Sequence, residues 1–461
     1  MNFTEVLQML GGGVPFYVVV FIVVLSILVF VHEWGHYIIA RLCGVRVESF
    51  SIGFGKELFG RYDKNGTRWK VSLVPLGGYV KLFGDVDPAS ASHEDTVEEA
   101  GDIRPMSETE KKEAFFSQPV WKRAAIVIAG PAINYIFAII LLAGLFIFNG
   151  QPITPPVAAA VIKDSSANEH GFLPHDKILS IDGKSVDTFE DVRREMMIAL
   201  DVEKHFVVER GGEAVDIYAK PRKVVEKDRF GFEHSRGLLG LISPRHAVKI
   251  DNIIRIDGQS FEDGSIEDIR KALLSRLDTT FEIEVNLGDE NDVLLVQPMT
   301  ANNLFIKEPG APESDLLFIS NTDANVFVKY GFFKAVGESF RQTWVVTRGT
   351  VEALGQMVTG TRSATELGGI IRIGALAGDM AKQGLIALIM FTALLSINLG
   401  LINLFPIPML DGGHLLFYAI EAVMGRPVPE QIQEYAFRIG LVFLVGVMVF
   451  ANLNDLIQLV L

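Results

Sequence analysis

Apolar residues are gathered into four long runs along the chain, with mixed polar and apolar stretches between them. The runs cover about residues 14–40, 124–148, 385–404, and 439–451 or beyond. A helix needs ~20 mainly apolar residues to cross a bilayer, a length that the first three runs reach. The fourth run is shorter and ends at a polar stretch, residues 452–455. The pattern predicts a multi-pass α-helical membrane protein with four transmembrane helices, spans 1 to 4.

Basic residues next to the spans predict the orientation of the chain. Arg41 and Arg46 follow span 1, and Lys122 and Arg123 begin span 2. Because loops rich in Lys and Arg stay on the cytoplasmic side, we expect the loop between spans 1 and 2 to be cytoplasmic. Both termini and the long segment between spans 2 and 3 then lie on the outer side.

The loop between spans 1 and 2 has two parts. Residues 45–82 contain alternating stretches broken by glycines, with a Lys-Asn-Gly turn signal at residues 64–66, and they predict short strands and hairpins. Residues 85–117 are polar and acidic and predict a mobile loop. Near span 3, residues 332–357 fit an amphipathic helix on the membrane surface or a solvated domain helix equally well.

Two similar phrases lie between spans 2 and 3. Residues 174–183 and 249–258 both contain D-x-I-x-x-I-D-G, which predicts two copies of one unit. The pattern resembles a PDZ domain, which adds a peptide as a strand to a sheet edge. The first copy looks complete, with residues 158–171 as its opening part. Only about ten residues separate Gly240 from Asp251, so we expect the second copy to lack its opening strands and ligand loop.

Composition narrows the function classes. The 461 residues include 42 basic and 56 acidic ones, giving a formal net charge of −14. Nucleic-acid binding requires a surface rich in Lys and Arg, so we exclude that function. Cys43 is the single cysteine, which rules out an internal disulfide and indicates an inert residue near a helix end.

The strongest chemical signal is the sequence His-Glu-Trp-Gly-His near the inner end of span 1. His32 and His36 are four residues apart, so a helix places both on one face, where they can bind one zinc ion. Glu33 beside them can act as the base for a bound water. A charged side chain inside a bilayer costs at least ~2.5–3.5 kcal/mol on insertion scales, so such residues are usually functional.

A catalytic zinc needs a third protein ligand and an open position for water. Asp411 and His414 are the candidates, because both follow span 3 and a proline-rich turn. Irregular backbone at membrane depth is tolerated only where it is buried or lines a cavity. Such a turn can bring either residue against span 1, and the residues alone leave both open.

Three motifs resemble the site-2 protease family of intramembrane zinc metalloproteases. They are His-Glu-Trp-Gly-His at 32–36, Asn-x-x-Pro-x-Pro-x-Leu-Asp-Gly at 403–412, and Gly-Pro-Ala-Ile-Asn at 130–134. The resemblance covers nearly the whole chain. It implies that Zn²⁺ is bound by Asp411 together with the two histidines of span 1, and that the glutamate between them activates water. It also implies that Asn403 holds the substrate or the developing oxyanion.

The same resemblance implies supporting roles in the catalytic core for Gly130, Asn134 and Pro406. It places the protein in the inner membrane of a Gram-negative cell, with both termini and the PDZ region in the periplasm. Its substrates would be single-span membrane proteins, such as an anti-sigma factor, or leftover signal peptides, cut in regulated intramembrane proteolysis. Residues 45–82 would form a membrane-associated β-hairpin or small sheet that presents a strand edge to the substrate. The PDZ pair would admit only substrates whose outer domain has been trimmed.

One stretch departs from the family pattern. Members often carry Leu-Gly-Gly-Pro before span 3, whereas this chain has Leu-Gly-Gly-Ile at residues 367–370. We therefore expect a different local turn there.

The predicted division of the chain follows these features. Its parts are span 1 (1–44), the β region (45–84), the acidic cytoplasmic loop (85–118), span 2 (119–149), the first PDZ-like domain (150–226), the second (227–305), a linker with amphipathic helices (306–384), span 3 with the Leu-Asp-Gly motif (385–414), and a loop helix with span 4 (415–461).

Two other functions fit parts of the sequence. A membrane scaffold or receptor would use the PDZ-like copies to bind peptides and keep a non-catalytic metal site, but such a site need not retain Glu33. A transporter with a zinc site would show paired halves of similar span number, and the spans show no such repeat.

Overall fold

The chain folds into two compact units. The computed structural model describes residues 13–85, 96–99, 102–227, 231–244, 247–262, 264–286, 291–308, 310, 314–320 and 326–460. The first unit, the membrane unit, comprises Met1–Phe148, Tyr330–Val351 and Leu367–Leu461, and the second, the insert unit, comprises Asn149–Lys329 and Glu352–Glu366. Each site described below lies within one unit.

Helices and strands are numbered in chain order. The α-helices are α1 Val14–Leu42, α2 Glu108–Glu113, α3 Val120–Phe148, α4 Ser166–Glu169, α5 Phe189–Ile198, α6 Ile266–Leu274, α7 Phe332–Val358, α8 Ile370–Gln383, α9 Leu385–Asn403, α10 Asp411–Met424 and α11 Glu430–Val460. The strands of the membrane unit are β1 Val47–Tyr62, β2 Arg68–Leu82, β3 Thr96–Glu99 and β4 Asp102–Pro105. Those of the insert unit are β5 Gln151–Ile153, β6 Ala160–Ile162, β7 Lys177–Ile181, β8 Lys184–Ser185, β9 Lys204–Arg210, β10 Glu213–Ala219, β11 Arg222–Lys227, β12 Glu233–Leu238, β13 Leu241–Ile242, β14 Ala247–Lys249, β15 Ile253–Ile256, β16 Gln259–Ser260, β17 Phe281–Asn286, β18 Asn291–Val296, β19 Leu316–Phe318 and β20 Val326–Val328.

The four predicted spans correspond to helices α1, α3, α9 and α11, each long and apolar enough to cross a membrane. Helix α11 differs most from its predicted limits, since it begins at Glu430 and continues through residues 452–455. Asp455 is fully buried there and accepts hydrogen bonds from the backbone N–H groups of Gly369 and Arg372, both at 2.9 Å. Polar residues paired in this way inside the protein do not end a helix.

The stretch that departs from the family pattern forms the start of α8. Gly369 is its N-cap residue and provides no side-chain cap. Helix α11 supplies the missing acceptors, and one of them, Asn452 Oδ1, accepts from the Ile370 N–H at 3.1 Å. A proline at this position would have no N–H to donate. The departure therefore adds a hydrogen bond between α8 and α11.

The predicted hairpin is the antiparallel pair β1–β2. Its turn is fastened by Asp63, which accepts hydrogen bonds from the backbone N–H of Thr67, the Tyr37 hydroxyl and the Trp69 indole. Partial burial pushes the pKa of Asp63 upward, but these hydrogen bonds outweigh it and hold the pKa below its ordinary value. Because Tyr37 directly follows His36, the turn is attached to α1 beside the predicted metal ligands.

The acidic stretch predicted to be a mobile loop contains secondary structure. Strands β3 and β4 pair with each other, and Ser107 and Glu110 form a capping box at the start of α2. The Arg104 guanidinium bonds the Glu110 carboxylate and holds its pKa well below the usual range. Capping and ion pairing between residues close in the sequence stabilise these short elements. The hydrophobic pattern does not predict them. Residues 86–95 and 100–101 of the predicted loop lie outside the described residues.

Helix α7 confirms the predicted helical character of residues 332–357. Up to Val351 it packs on spans 2 and 3, where Thr347 donates to the Tyr135 hydroxyl at 3.3 Å and Thr350 donates to Asn398 at 2.9 Å. Another part of its surface exposes large apolar side chains such as Trp344. A location at the membrane surface stays a prediction.

In the insert unit, the two similar phrases lead into the same order of elements. The first is followed by β7, β8, α5, β9 and β10, and the second by β15, β16, α6, β17 and β18. Asp182 and Asp257 take the same turn position, with φ of 50° and 46°. Each accepts a hydrogen bond from a backbone N–H in the next long strand, from His205 and Glu282 respectively.

The opening strands of the two copies are distributed differently from the expectation. Strand β6, expected within the first copy, pairs with β18 of the second and with β13, so that the sheet order is β13-β6-β18-β17-β15-β16. Strand β19 pairs with β14 and follows the second copy. The predicted boundary between residues 226 and 227 falls inside β11, which pairs with β12. Strands that are far apart in the sequence pair with each other. The order of the two phrases along the chain therefore does not tell which strand belongs to which copy.

Candidate metal centre

His32 and His36 lie on one face of α1, one helical turn apart, as their spacing predicts. Their Nε2 atoms are 3.3 Å apart. Asp411 Oδ2 lies 3.2 Å from His32 Nε2 and 3.6 Å from His36 Nε2. Among the described residues these three form one group of side chains able to hold a metal ion. The structure thus brings Asp411, from the last part of the chain, to two histidines near its start.

This arrangement fits a zinc ion. With zinc-to-ligand distances of ~2.0–2.1 Å, two ligand atoms of a tetrahedral site are roughly 3.3 Å apart. The three separations between the ligand atoms lie within 0.3 Å of that value, from 3.2 to 3.6 Å. Two imidazoles and one carboxylate are also a usual donor set for a catalytic zinc, with the fourth position left for water.

Helix α3 supports both histidines. The Nδ1 atom of His36 is 2.9 Å from the Ile126 carbonyl oxygen, and the side chain of Asn134 is 3.1 Å from His32 Nδ1. Gly130 lies between these two positions, and a Cβ there would overlap His36 Nε2. Gly35 of α1 is equally constrained, because a Cβ would overlap the Ala129 carbonyl oxygen. The absence of two side chains therefore lets spans 1 and 2 approach closely enough to seat the rings.

A short, tightly packed loop brings Asp411 to the site. Span 3 ends at Asn403, and after the loop Asp411 begins α10. Met409 adopts a positive φ of 84°, a strained conformation for a residue with a side chain. A Cβ on Gly412 would overlap the carbonyl oxygens of Leu404 and Phe405, so the glycine after the aspartate lets the loop fold back on the helix.

The rival ligand His414 lies one turn after Asp411 on α10 and lines the same cavity as the three ligands. Its ring packs against Phe437 of α11 with a centroid separation of 4.9 Å. It is not a member of the group formed by the three ligand atoms. Pro406, predicted to support the core, is exposed in the loop.

A cavity of about 600 Å³ opens beside the three ligands and is lined by Glu33, Asn403 and the end of β2. Glu33 lies against the end of β2, where a Cβ on Gly78 would approach Glu33 Cγ to 3.2 Å. The predicted base, the predicted oxyanion residue and the hairpin strand therefore share one space. Sequence reasoning did not predict the roles of Gly35 and Gly78. The position of Gly35 inside the zinc motif was a signal that could have indicated its role.

Comparison with known proteins identifies a family and relatives of this chain. The model of Peptidase family M50 matches residues 20–447. A relative from Agrobacterium fabrum, whose name describes a zinc metalloprotease, is 38% identical over 449 residues, covering 97% of this chain and 98% of its own. The regulator of sigma-E protease of Escherichia coli is 34% identical over 473 residues, covering 95% of this chain and 98% of that protein.

Fold, site and relatives together define a membrane zinc metalloprotease. More narrowly, the chain belongs to peptidase family M50, the site-2 proteases.

Proposed function

We propose that this protein cleaves the transmembrane segments of single-span membrane proteins whose outer domain has already been trimmed. The observation that carries the proposal is the placement of Glu33 beside three converging zinc-ligand atoms, in a cavity that also contains a strand edge. A soluble substrate would need no such edge within a membrane unit.

The positions of the side chains support the following catalytic roles. His32, His36 and Asp411 would hold the zinc, which when bound supplies a water of lowered pKa (~7) and polarises the peptide carbonyl. Glu33 takes the proton of the attacking water as general base and then passes it to the leaving amine. The side-chain amide of Asn403 donates a hydrogen bond to the oxyanion as it develops.

Strand β2 is the proposed platform for the substrate. A helical peptide bond is shielded by its own hydrogen bonds, so the substrate must unwind before it is cut. Pairing with an exposed strand edge holds a peptide extended. The end of β2 borders the cavity at Gly78 and Val80, close to Glu33, which supports this role.

The insert unit supports a role in substrate selection. A cavity of about 330 Å³ lies between α5 and the segment 237–243, and β13 of that segment is an edge strand of its sheet. We propose that this is the peptide groove of a first PDZ-like unit. At the matching position of the second unit, Arg270 of α6 forms an ion pair with Asp315 next to β19. This ion pair would obstruct a second groove, so we assign peptide binding to the first unit alone. We assign the exclusion of substrates with large outer domains to both units.

The proposed setting is the inner membrane of a Gram-negative cell, with both termini and the insert unit in the periplasm. The basic residues that flank spans 1 and 2 support this orientation. An anti-sigma factor or a leftover signal peptide has the required single span, and either is a proposed substrate.

Cleavage by the wild type and by the Glu33→Gln variant tests the proposal. The substrate is a model single-span protein with a short outer domain, reconstituted with purified full-length enzyme. We expect the wild type to cut within the span and the variant to lose cleavage while its zinc content stays unchanged. A variant that cuts as fast as the wild type, or a wild type that cuts none of several such substrates, would favour the scaffold function instead.

A further inference from the structure

The two histidines of the metal centre need partners for their second ring nitrogens. An imidazole that binds a metal through Nε2 must carry its proton on Nδ1, and a hydrogen-bond acceptor for that proton fixes the tautomer and the ring orientation. Both Nε2 atoms face Asp411 Oδ2, within 3.6 Å. Each Nδ1–H therefore requires an acceptor.

For His36 the acceptor is evident. Its Nδ1 lies 2.9 Å from the carbonyl oxygen of Ile126 in α3, an atom that can only accept. This contact sets the orientation of the second histidine without any side chain of α3.

For His32 the neighbouring group is the side-chain amide of Asn134. The amide nitrogen lies 3.1 Å from His32 Nδ1, and the amide oxygen is buried with no hydrogen-bond partner among the described residues. Two donors would face each other in this arrangement once Nε2 binds a metal. A half-turn of the amide, whose two ends are nearly identical in shape, replaces that conflict with a hydrogen bond and also satisfies the orphaned oxygen.

Asn134 is held in place by the surrounding helices. Its side chain is fully buried, and its backbone carbonyl accepts a hydrogen bond from Ser396 of span 3 at 2.8 Å. Ile126, Gly130 and Asn134 are spaced by four residues, so they share one face of α3. This face offers, in order, a carbonyl acceptor for one ring, room for both rings, and an amide for the other.

We infer that Asn134 is a positioning residue whose amide oxygen accepts the hydrogen bond of the His32 Nδ1–H and so orients this ring for zinc. The inference rests on the proposed function of His32 as a ligand. It gives Asn134 a role as acceptor, which distinguishes it from a residue that merely fills space or donates.

Zinc affinity measured by competition with a chelator tests the role, using the purified full-length protein. Loss of a hydrogen bond to a ligating histidine typically costs about 10–100-fold in metal affinity. We expect Asn134→Leu to lose affinity by that factor and Asn134→Asp, which keeps an acceptor, to stay within about threefold of the wild type. Asn398→Leu is the matched control, since this asparagine of span 3 bonds Thr350 rather than a histidine, and we expect its zinc affinity to be unchanged.

Three outcomes would overturn the inference: wild-type affinity in Asn134→Leu, an equal loss in Asn134→Asp and Asn134→Leu, or an equal loss in the Asn398 control. If Asn134→Leu does not fold, Asn134→Ala removes the amide without added bulk and is interpreted in the same way. The variant His32→Ala distinguishes a failure of the inference about Asn134 from a failure of the proposed function. If His32→Ala binds zinc as tightly as the wild type, the metal site itself is wrong, whereas loss of zinc there with unchanged Asn134 variants contradicts the inference alone.

Discussion

The metal centre and the groove of the insert unit are built in opposite ways. At the metal centre, two helix backbones approach so closely that Gly35 and Gly130 have no room for a methyl group. In the insert unit, the cavity between α5 and segment 237–243 is bordered by partly exposed side chains such as Leu238. On the proposed functions of the two regions, we expect the addition of a single methyl group to stop the chemistry in the first region. In the second region we expect substitutions to change peptide binding and to leave the chemistry intact.

The largest expected effect is that of Gly130→Ala. Its new methyl group would overlap His36 Nε2, the atom that faces the metal, so we expect loss of both bound zinc and cleavage. Metal analysis and the cleavage assay measure these two properties. Gly144→Ala in the same helix is the control, because a Cβ at that position meets nothing within 4 Å. A Gly130→Ala enzyme with normal zinc and normal turnover would contradict the close packing described here.

The groove of the insert unit should respond differently. Leu238→Arg replaces an apolar side chain that lines the cavity beside α5 with a charged one, and we expect binding of a fluorescent peptide with an apolar C-terminal residue to weaken at least about tenfold, as for a disrupted anchor pocket. Zinc content and cleavage of a substrate with a short outer domain should change less than twofold. Val225→Arg is the control, since Val225 is 58% exposed on the neighbouring strand and does not border the cavity. Equal peptide binding by both variants would contradict the proposal that this cavity is a peptide groove.

The attachment of the hairpin to α1 should depend on pH through Asp63. The pKa of this group is lowered in the folded protein, because its hydrogen bonds outweigh its burial. Its contribution to stability is therefore complete above its ordinary pKa of ~3.9 and is lost as the pH falls through the lower folded value. We expect Asp63→Asn to lower the Tm at pH 7, with a gap to the wild type that narrows below about pH 4. A gap that widens on acidification would contradict the assignment.

The smallest expected effect concerns the start of α8. Ile370→Pro removes one N–H and its hydrogen bond to Asn452, while proline is well suited to the first position of a helix. A hydrogen bond contributes about 0.5–1.5 kcal/mol to stability, so we expect a slightly lower Tm and unchanged cleavage. The effect should disappear in an Asn452→Leu background, and an undiminished effect there would exclude this bond as its cause.

Local motifs made the metal centre predictable from the sequence. The spacing of His32 and His36 determines their shared helix face, and charged residues inside a span have few non-functional explanations. The choice of Asp411 over His414 required the resemblance, because a proline-rich turn can bring either residue to span 1. The structure brings Asp411 to the site and packs His414 against Phe437.

Long-range pairing made the insert unit hard to predict. The two phrases indicate that similar elements follow each of them. They contain no signal that β6 joins the sheet of the second copy. The full length of α11 could not be predicted from the sequence for a related reason. In the sequence, Asp455 has the appearance of a helix end. The backbone N–H groups that it binds belong to Gly369 and Arg372 at the start of α8, more than eighty residues earlier.

The zinc content of Asp411→Asn compared with His414→Asn tests the central claim most directly. Both residues lie in α10. Asp411→Asn keeps the size of the side chain and removes its charge, and His414→Asn removes the imidazole ring. Metal analysis of the purified proteins should show about one zinc per chain for the wild type and for His414→Asn, and a loss of zinc for Asp411→Asn. Retention of zinc by Asp411→Asn together with its loss from His414→Asn would contradict the metal centre described here.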